Sequence, residues 1–276
     1  MNSKMENVKA VPRPLQGKRL KINVSLNIRK LFKQSIVLIV LALVWQVAPQ
    51  TGFVDPAFLP PFSDVIQALW HLIVSGELYH HFAASMIRSL SGFALAIVIA
   101  IPLGLAIGWY PLARELLNPV MELFRNTAAL ALLPVFMLIL GIGETSKIAI
   151  VLFACTWPIL LNTIAAVGNV DPLLIKSARS MNISSFKLFL KVILPASVPT
   201  IFTGIRMAGT GAILVLIAAE MVGAKEGLGY LITYSQYNFQ IPEMFAGILT
   251  IALLGLLINQ GLSMVERKLS TWKQQV

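Results

Sequence analysis

Charged and amide side chains set within long apolar stretches are where chemistry could reside in this chain. They are Arg88, Glu122 and Arg125 with Asn126 and Thr127 beside them, Asn162 and Thr163, Arg206 and Glu220. An ionisable group at bilayer depth costs at least about 2.5–3.5 kcal/mol on insertion scales, so each needs a partner, a water-filled path or a route to the interface. Glu220 ends the run GAILVLIAAE, just before the Gly227-Leu228-Gly229 turn. It either lines a cavity or pins a gate, or it snorkels to the interface. Arg206 stands fourteen residues earlier, roughly 21 Å along a helix, too far to pair with Glu220 on one straight helix. It therefore anchors at an interface or meets an acid from another span. Glu122 and Arg125, three residues apart, suit a local ion pair, and Arg125 is also a candidate for an anion path. Asn162 and Thr163 follow Pro158 and fit either a cavity wall or a hydrogen bond to another helix. Arg88 is expected near the end of a span, where snorkelling suffices.

A second informative segment is the polar interruption from Asp171 to Pro195, DPLLIKSARSMNISSFKLFLKVILP. Asp171-Pro172 is a helix start, with a side-chain acceptor followed by a proline where no N–H is needed. Asn182 tolerates the left-handed backbone that stops a helix. Ser184 or Ser185 can cap a second helix that places Phe186, Phe189, Leu190 and Ile193 on one face and Lys187 with Lys191 on another, ending at Leu194-Pro195. Two short amphipathic helices standing out between apolar spans suit either an interfacial helix on anionic lipid or a docking element for a protein partner.

The chemistry that is missing narrows the field. GIGETSK lacks the Gly-Lys-Ser/Thr ending of a phosphate-cradling loop, and neither H-E-x-x-H nor G-x-S-x-G occurs. The single cysteine, Cys155, permits no intrachain disulfide and no thiolate cluster, and it reads as a small buried hydrophobe. The three histidines, His71, His80 and His81, are expected in a solvated outer loop with no metal bound.

The elements that must position these residues follow from composition. Of 276 residues, 57% are hydrophobic and only 12% charged. A mean hydropathy of +0.79 argues against a soluble enzyme, because soluble domains are about 25% charged. Six stretches are long enough to cross a hydrocarbon core: residues 35–54, 82–109, 119–141, 147–167, 196–222 and 245–264. An amphipathic piece is expected over residues 63–74. The formal net charge is +10, and residues 1–33 hold nine bases against the single acid Glu6. Cytoplasmic segments carry the excess of Lys and Arg, so this basic segment is expected inside. Arg114, the Lys176–Lys191 cluster and the C-terminal bases then fall on the same side, which requires an even number of spans. The expectation is an all-α polytopic membrane protein with six spans and both termini inside. It consists of a basic segment, 1–33, and a six-helix domain, 34–276, carrying the loop 171–195. No nucleic-acid partner is needed to explain the charge.

The Asp171–Pro195 segment resembles the coupling loop of bacterial ABC importer permeases: a small-residue helix turn at Lys176-Ser177-Ala178, the stop at Asn182, and Leu194-Pro195 twelve residues on. Two positions depart from the pattern, Lys176 where the family has an acid and Asn182 where it has glycine. The likeness extends from about His81 to Leu269. The strings RNTAALALLPVFMLILGIGETSKI, ARSMNISSFKLFLKVILPASVPTIFTGIRMA and AAEMVGAKEGLGYLI are similar to the nitrate, sulfonate and taurine branch. The resemblance implies a permease subunit without an ATPase site of its own, working beside a second copy of itself. ATP and Mg would be held by two ATP-binding subunits that grip Lys176, Ser177, Ala178, Asn182, Phe186, Leu194 and Pro195. An extracytoplasmic solute-binding protein would deliver a small anion, an aliphatic sulfonate or taurine ahead of nitrate or bicarbonate. Arg125, Asn126, Asn162 and Glu220 are the candidates for the path or gate. The alternative is an ion-coupled secondary transporter in which Glu220 or Arg125 couples a gradient, against which no repeat between the two three-span halves is evident.

Overall fold

A computed structural model of the chain describes residues 24–270. The expected basic segment lies outside the described residues up to residue 23. Among the described residues every regular element is helical. In chain order they are α1 (Val24–Gln50), α2 (Phe62–Val74), α3 (Glu77–Trp109), α4 (Pro111–Arg125), a 3-10 turn (Ala129–Leu132), α5 (Leu133–Leu140), α6 (Glu144–Gly168), α7 (Pro172–Ser180), α8 (Ser185–Leu188), a π turn (Phe189–Ile193), α9 (Leu194–Glu220), α10 (Leu228–Tyr237) and α11 (Ile241–Ser270).

Four helical stretches are long and apolar enough to cross a membrane: Glu77–Trp109, Glu144–Gly168, Ser185–Glu220 and Ile241–Arg267. Pro111–Arg125 and Ala129–Leu140 are long and apolar enough only when taken together, and they are bent by 84° at the break between them, the geometry of a broken span or a re-entrant loop. α1 occupies the place of the first expected span, with Ile39–Gln50 as its apolar part. The apolar side chains left exposed, such as Leu138, Val98 and Leu257, are those that hydrocarbon would cover.

The centre of the bundle is α6, packed between α3 and α9. Small residues recur every fourth position on α3, at Gly92, Ala96, Ala100, Gly104 and Gly108, and they let the α6 backbone approach closely. A Cβ added at Gly92 would stand 2.8 Å from Val151, and one at Gly104 2.7 Å from Thr163. On the other side of α6, a Cβ at Gly204 of α9 would stand 2.7 Å from Asn162. Ile150, Val151, Cys155, Ile159, Ala208 and Leu216 fill the seams.

One expected helix boundary needs correction. The helix beginning at Ser185 does not end at Leu194-Pro195 but continues to Glu220 as one 36-residue stretch. A proline ring normally clashes with the carbonyl four residues back, and the π turn at Phe189–Ile193 widens the backbone where Pro195 needs room. The connection after Gly223 contains a helix, α10, whose Leu228 and Leu231 are buried against neighbouring spans. Its ten residues, mixed with Thr, Tyr, Ser and Gln, carry no membrane-length apolar signal. Gly223 and Gly227, ahead of α10, both have positive φ (68° and 117°).

Candidate functional site

At one end of the bundle the start of α3, the start of α6 and the end of α9 converge. Arg88, one turn and a half from the start of the apolar part of α3, is only 1% exposed. Its Nη1 donates to Glu220 Oε1 at 2.9 Å and to the Glu226 carbonyl at 2.7 Å. Its Nη2 donates to Glu144 Oε1 at 2.6 Å and to Glu226 Oε1 at 3.1 Å. Nε donates to Glu144 Oε2. Arg88 therefore does not snorkel. A guanidinium leaves water only where acceptors replace its hydration, and here three glutamates supply them.

Glu220 is as deeply buried as its partner. Ser85 Oγ lies 2.9 and 2.8 Å from its two carboxylate oxygens, and the Gly229 backbone N–H donates to Oε2 at 3.0 Å. The Gly227–Gly229 turn wraps the carboxylate so tightly that a Cβ at either glycine would collide with Glu220. Ser85 in turn accepts from Leu228 N at 2.8 Å, and His81 Nδ1 accepts from Gly227 N at 3.2 Å. His81 is thus a buried part of α3, whereas the sequence suggested a solvated loop; His80 is exposed, 3.4 Å from Glu226. Lys147, also buried, folds its Nζ back onto the Gly143 carbonyl at 3.1 Å.

A separate cleft of about 620 Å³ opens between α4 and α6. α4 is strongly amphipathic: Leu112, Leu116, Val120 and Leu123 are exposed on one face, while Arg114, Asn118, Met121 and Arg125, spaced four, three and four apart, turn to the cleft. From α6 come Phe153, Trp157 and Asn162. Trp157 Nε1 is buried with no hydrogen-bond partner among the described residues, and Phe124 stacks on its ring at 5.1 Å. No carboxylate lines the cleft. Arg125 is exposed and pairs with Glu122 at 3.4 Å. Asn162 Nδ2 turns back along its own helix and donates to the Pro158 carbonyl at 2.8 Å. Asn126 is not in the cleft wall; it closes α4, donating to the Glu122 carbonyl at 2.8 Å. Glu220 is likewise walled off, inside the Arg88 cluster. Arg206 meets Glu266 of α11 at 3.0 Å, an acid from another span.

At the opposite end of α6 and α9 sits the α7–α8 segment. Asp171 Oδ1 accepts from Leu173 N at 2.8 Å, capping α7, and Asn182 takes the left-handed backbone with φ 55°. Phe186 is 73% exposed, and Lys176 and Ser177 are also on the surface, while Ala178 is buried beneath them. Leu194 and Pro195 lie at the first turn of α9. Among the described residues no group of three or more His, Cys, Asp and Glu side chains could hold a metal ion.

Sequence reasoning missed Arg114, Asn118 and Trp157 as cleft residues. The helical spacing of Arg114, Asn118 and Arg125 was a usable signal, hidden because the span was expected to start only at Pro119.

Residues 96–271 match the family model described as binding-protein-dependent transport system inner membrane component. The chain is 33% identical over 244 residues to the taurine transport system permease protein of Escherichia coli K12, covering 87% of this chain and 89% of that one. It is 36% identical over 229 residues to a putative aliphatic sulfonates transport permease protein of the same organism, covering 83% and 87%. It is 32% identical over 241 residues to the nitrate import permease protein of Leptolyngbya laminosa, covering 84% and 85%. Among solved structures, an inward-facing conformation of the methionine ABC transporter MetNI superposes with a TM-score of 0.60 at 19% identity, covering 67% of this chain and 93% of that one; this is a likeness of fold.

Proposed function

The chain belongs to the family of binding-protein-dependent transport system inner membrane components, ABC importer permeases of the multi-pass kind, and we propose that it passes a small anionic solute inward by alternating access. The first candidates are an aliphatic sulfonate or taurine, with nitrate or bicarbonate behind them. The observation that carries this reading is the cleft wall: Arg114, Arg125 and Asn118 offer donors and positive charge, and the lining residues include no carboxylate, Glu122 standing outside the lining as the partner of Arg125.

The cleft is open rather than enclosed, and a second copy of the chain would close a path. Two ATP-binding subunits grip the Asp171–Pro195 segments, with Phe186 as the exposed apolar anchor. They hold the ATP and Mg; this chain transmits their movement. The excess of bases on the α7–α8 side supports a reading in which that end, and both termini, face the cytoplasm across a bacterial inner membrane. The Arg88 end then faces the solute-binding protein. Residues 1–33 serve as the orienting basic segment and 34–276 as the permease domain.

Reconstitution with the ATP-binding subunits and the binding protein, followed by ATP hydrolysis over a panel of sulfonates, taurine, nitrate and bicarbonate, tests the reading. Stimulation by one or more of these anions is expected. Uptake that persists without any ATP-binding subunit would overturn it in favour of a secondary transporter.

A further inference from the structure

We propose that Arg88 is a positioning residue that locks the far end of the Ser185–Glu220 rod to α3 and α6, so that movement of the α7–α8 segment is delivered to the opposite face of the bundle. The inference rests on the reading that ATP-binding subunits grip α7–α8.

A guanidinium has five N–H donors. In Arg88 all five are used, on Glu144, Glu220, the Glu226 side chain and the Glu226 carbonyl. No donor is left for a solute, so the residue joins elements and binds no cargo. The elements it joins are the ends of three helices and the loop that follows α9. Glu220 is the last residue of α9, and it is held from three directions, by Ser85 and Arg88 of α3 and by the Gly229 N–H. The rod it terminates is one helical stretch of 36 residues, about 54 Å at 1.5 Å per residue. Phe186 stands at the other end of that rod. A rod conveys displacement only if its distal end is tied to the body that must move with it. Without Arg88, the α9 end would keep only the Ser85 hydroxyl as a polar tie to α3 and no polar tie to α6, leaving apolar contacts that permit sliding. The node also reaches the surface, through Glu144 and Glu226, which are 59% and 39% exposed, so it can be loosened from outside without emptying the core.

The test uses a Val222→Cys reporter, half exposed just past α9, in the complete complex with its ATP-binding subunits. Native Cys155 is buried, so a bulky polar maleimide reads the reporter alone. The labelling rate is compared without nucleotide and after trapping with ATP and vanadate. In the parent the two rates should differ by about fivefold or more, the range of ordinary allosteric coupling. With Glu144→Gln the difference should fall below about twofold while the subunits still copurify and hydrolyse ATP; Glu226→Gln, a milder loosening at the surface, should give an intermediate response. Glu115→Gln on exposed α4 should leave the parental response. A full nucleotide response in Glu144→Gln and Glu226→Gln complexes, or none in the parent, overturns the proposal. A parent chain that recruits no ATP-binding subunit overturns the underlying reading instead.

Discussion

Arg88 Nη1 and Glu220 Oε1 lie 2.9 Å apart in the interior of the bundle although 132 residues separate them in sequence. The pair ties α3 to the end of α9. It is also unbalanced, since Glu144 and Glu226 share the same guanidinium. Removing Arg88 would leave the buried carboxylate of Glu220 without the cation hydrogen-bonded to it.

Arg88→Gln is therefore expected to destabilise the folded chain by about 3–5 kcal/mol, the usual cost of breaking a buried pair by deleting one partner. Thermal unfolding in detergent, followed by loss of monodisperse protein on size exclusion, checks it. Restoring packing with Arg88→Met and Glu220→Met together should recover much of the loss, because both charges then disappear. A double variant no better than Arg88→Gln would show that packing, not charge, dominates.

Gly227 holds φ 117°, and its missing side chain is where the Glu220 carboxylate sits. Gly227→Ala combines backbone strain with a collision and should cost about 1–3 kcal/mol. Gly211→Ala, where nothing lies within 4 Å, should be neutral or stabilising by up to about 1 kcal/mol, as for an alanine replacing a glycine in mid-helix. Paired melting curves of the two variants give the comparison.

The small-residue seam of α3 makes a graded prediction. Gly104→Leu must push α6 away, since even a Cβ would stand 2.7 Å from Thr163. Overpacking of this kind costs about 1–3 kcal/mol or more. Gly255→Leu on α11 meets open space and should leave yield and melting temperature unchanged.

For transport, Arg114→Gln and Arg125→Gln should each raise the apparent KM for the anion by about tenfold, equivalent to about 1.4 kcal/mol. Both side chains are exposed in the single chain, so stability should not move. Uptake assays paired with melting curves separate the two effects; a parallel fall in both would place these residues in the scaffold.

At the other end of the rod, Asn182→Gly should preserve assembly with the ATP-binding subunits, because glycine adopts a φ of 55° freely. Asn182→Val should weaken it, with a local cost of about 1–2 kcal/mol for a β-branched residue in left-handed backbone. Lys176→Glu should also weaken assembly if the cognate surface is matched to a base at that position. Copurification yields of the three variants decide the matter.

The helical class, the membrane spans and the two turn signals of the α7–α8 segment were legible in the amino-acid sequence because their causes are local. Hydrocarbon thickness sets the length of an apolar run, Asp171 caps the helix that follows it, and Asn182 accepts a backbone that most residues refuse. The sequence also marked Glu220 as out of place in its apolar run. It could not name the partner, since which helix ends meet depends on how α3, α6 and α9 pack. Arg88 read as a snorkelling residue until the tertiary structure surrounded it with three glutamates. The same limit hid Trp157 and Arg114 in the cleft and carried α9 through Pro195, because a side chain's environment is made by neighbours distant in sequence. Local stereochemistry determined which segments are helices; packing decided which charges are buried, paired and shared.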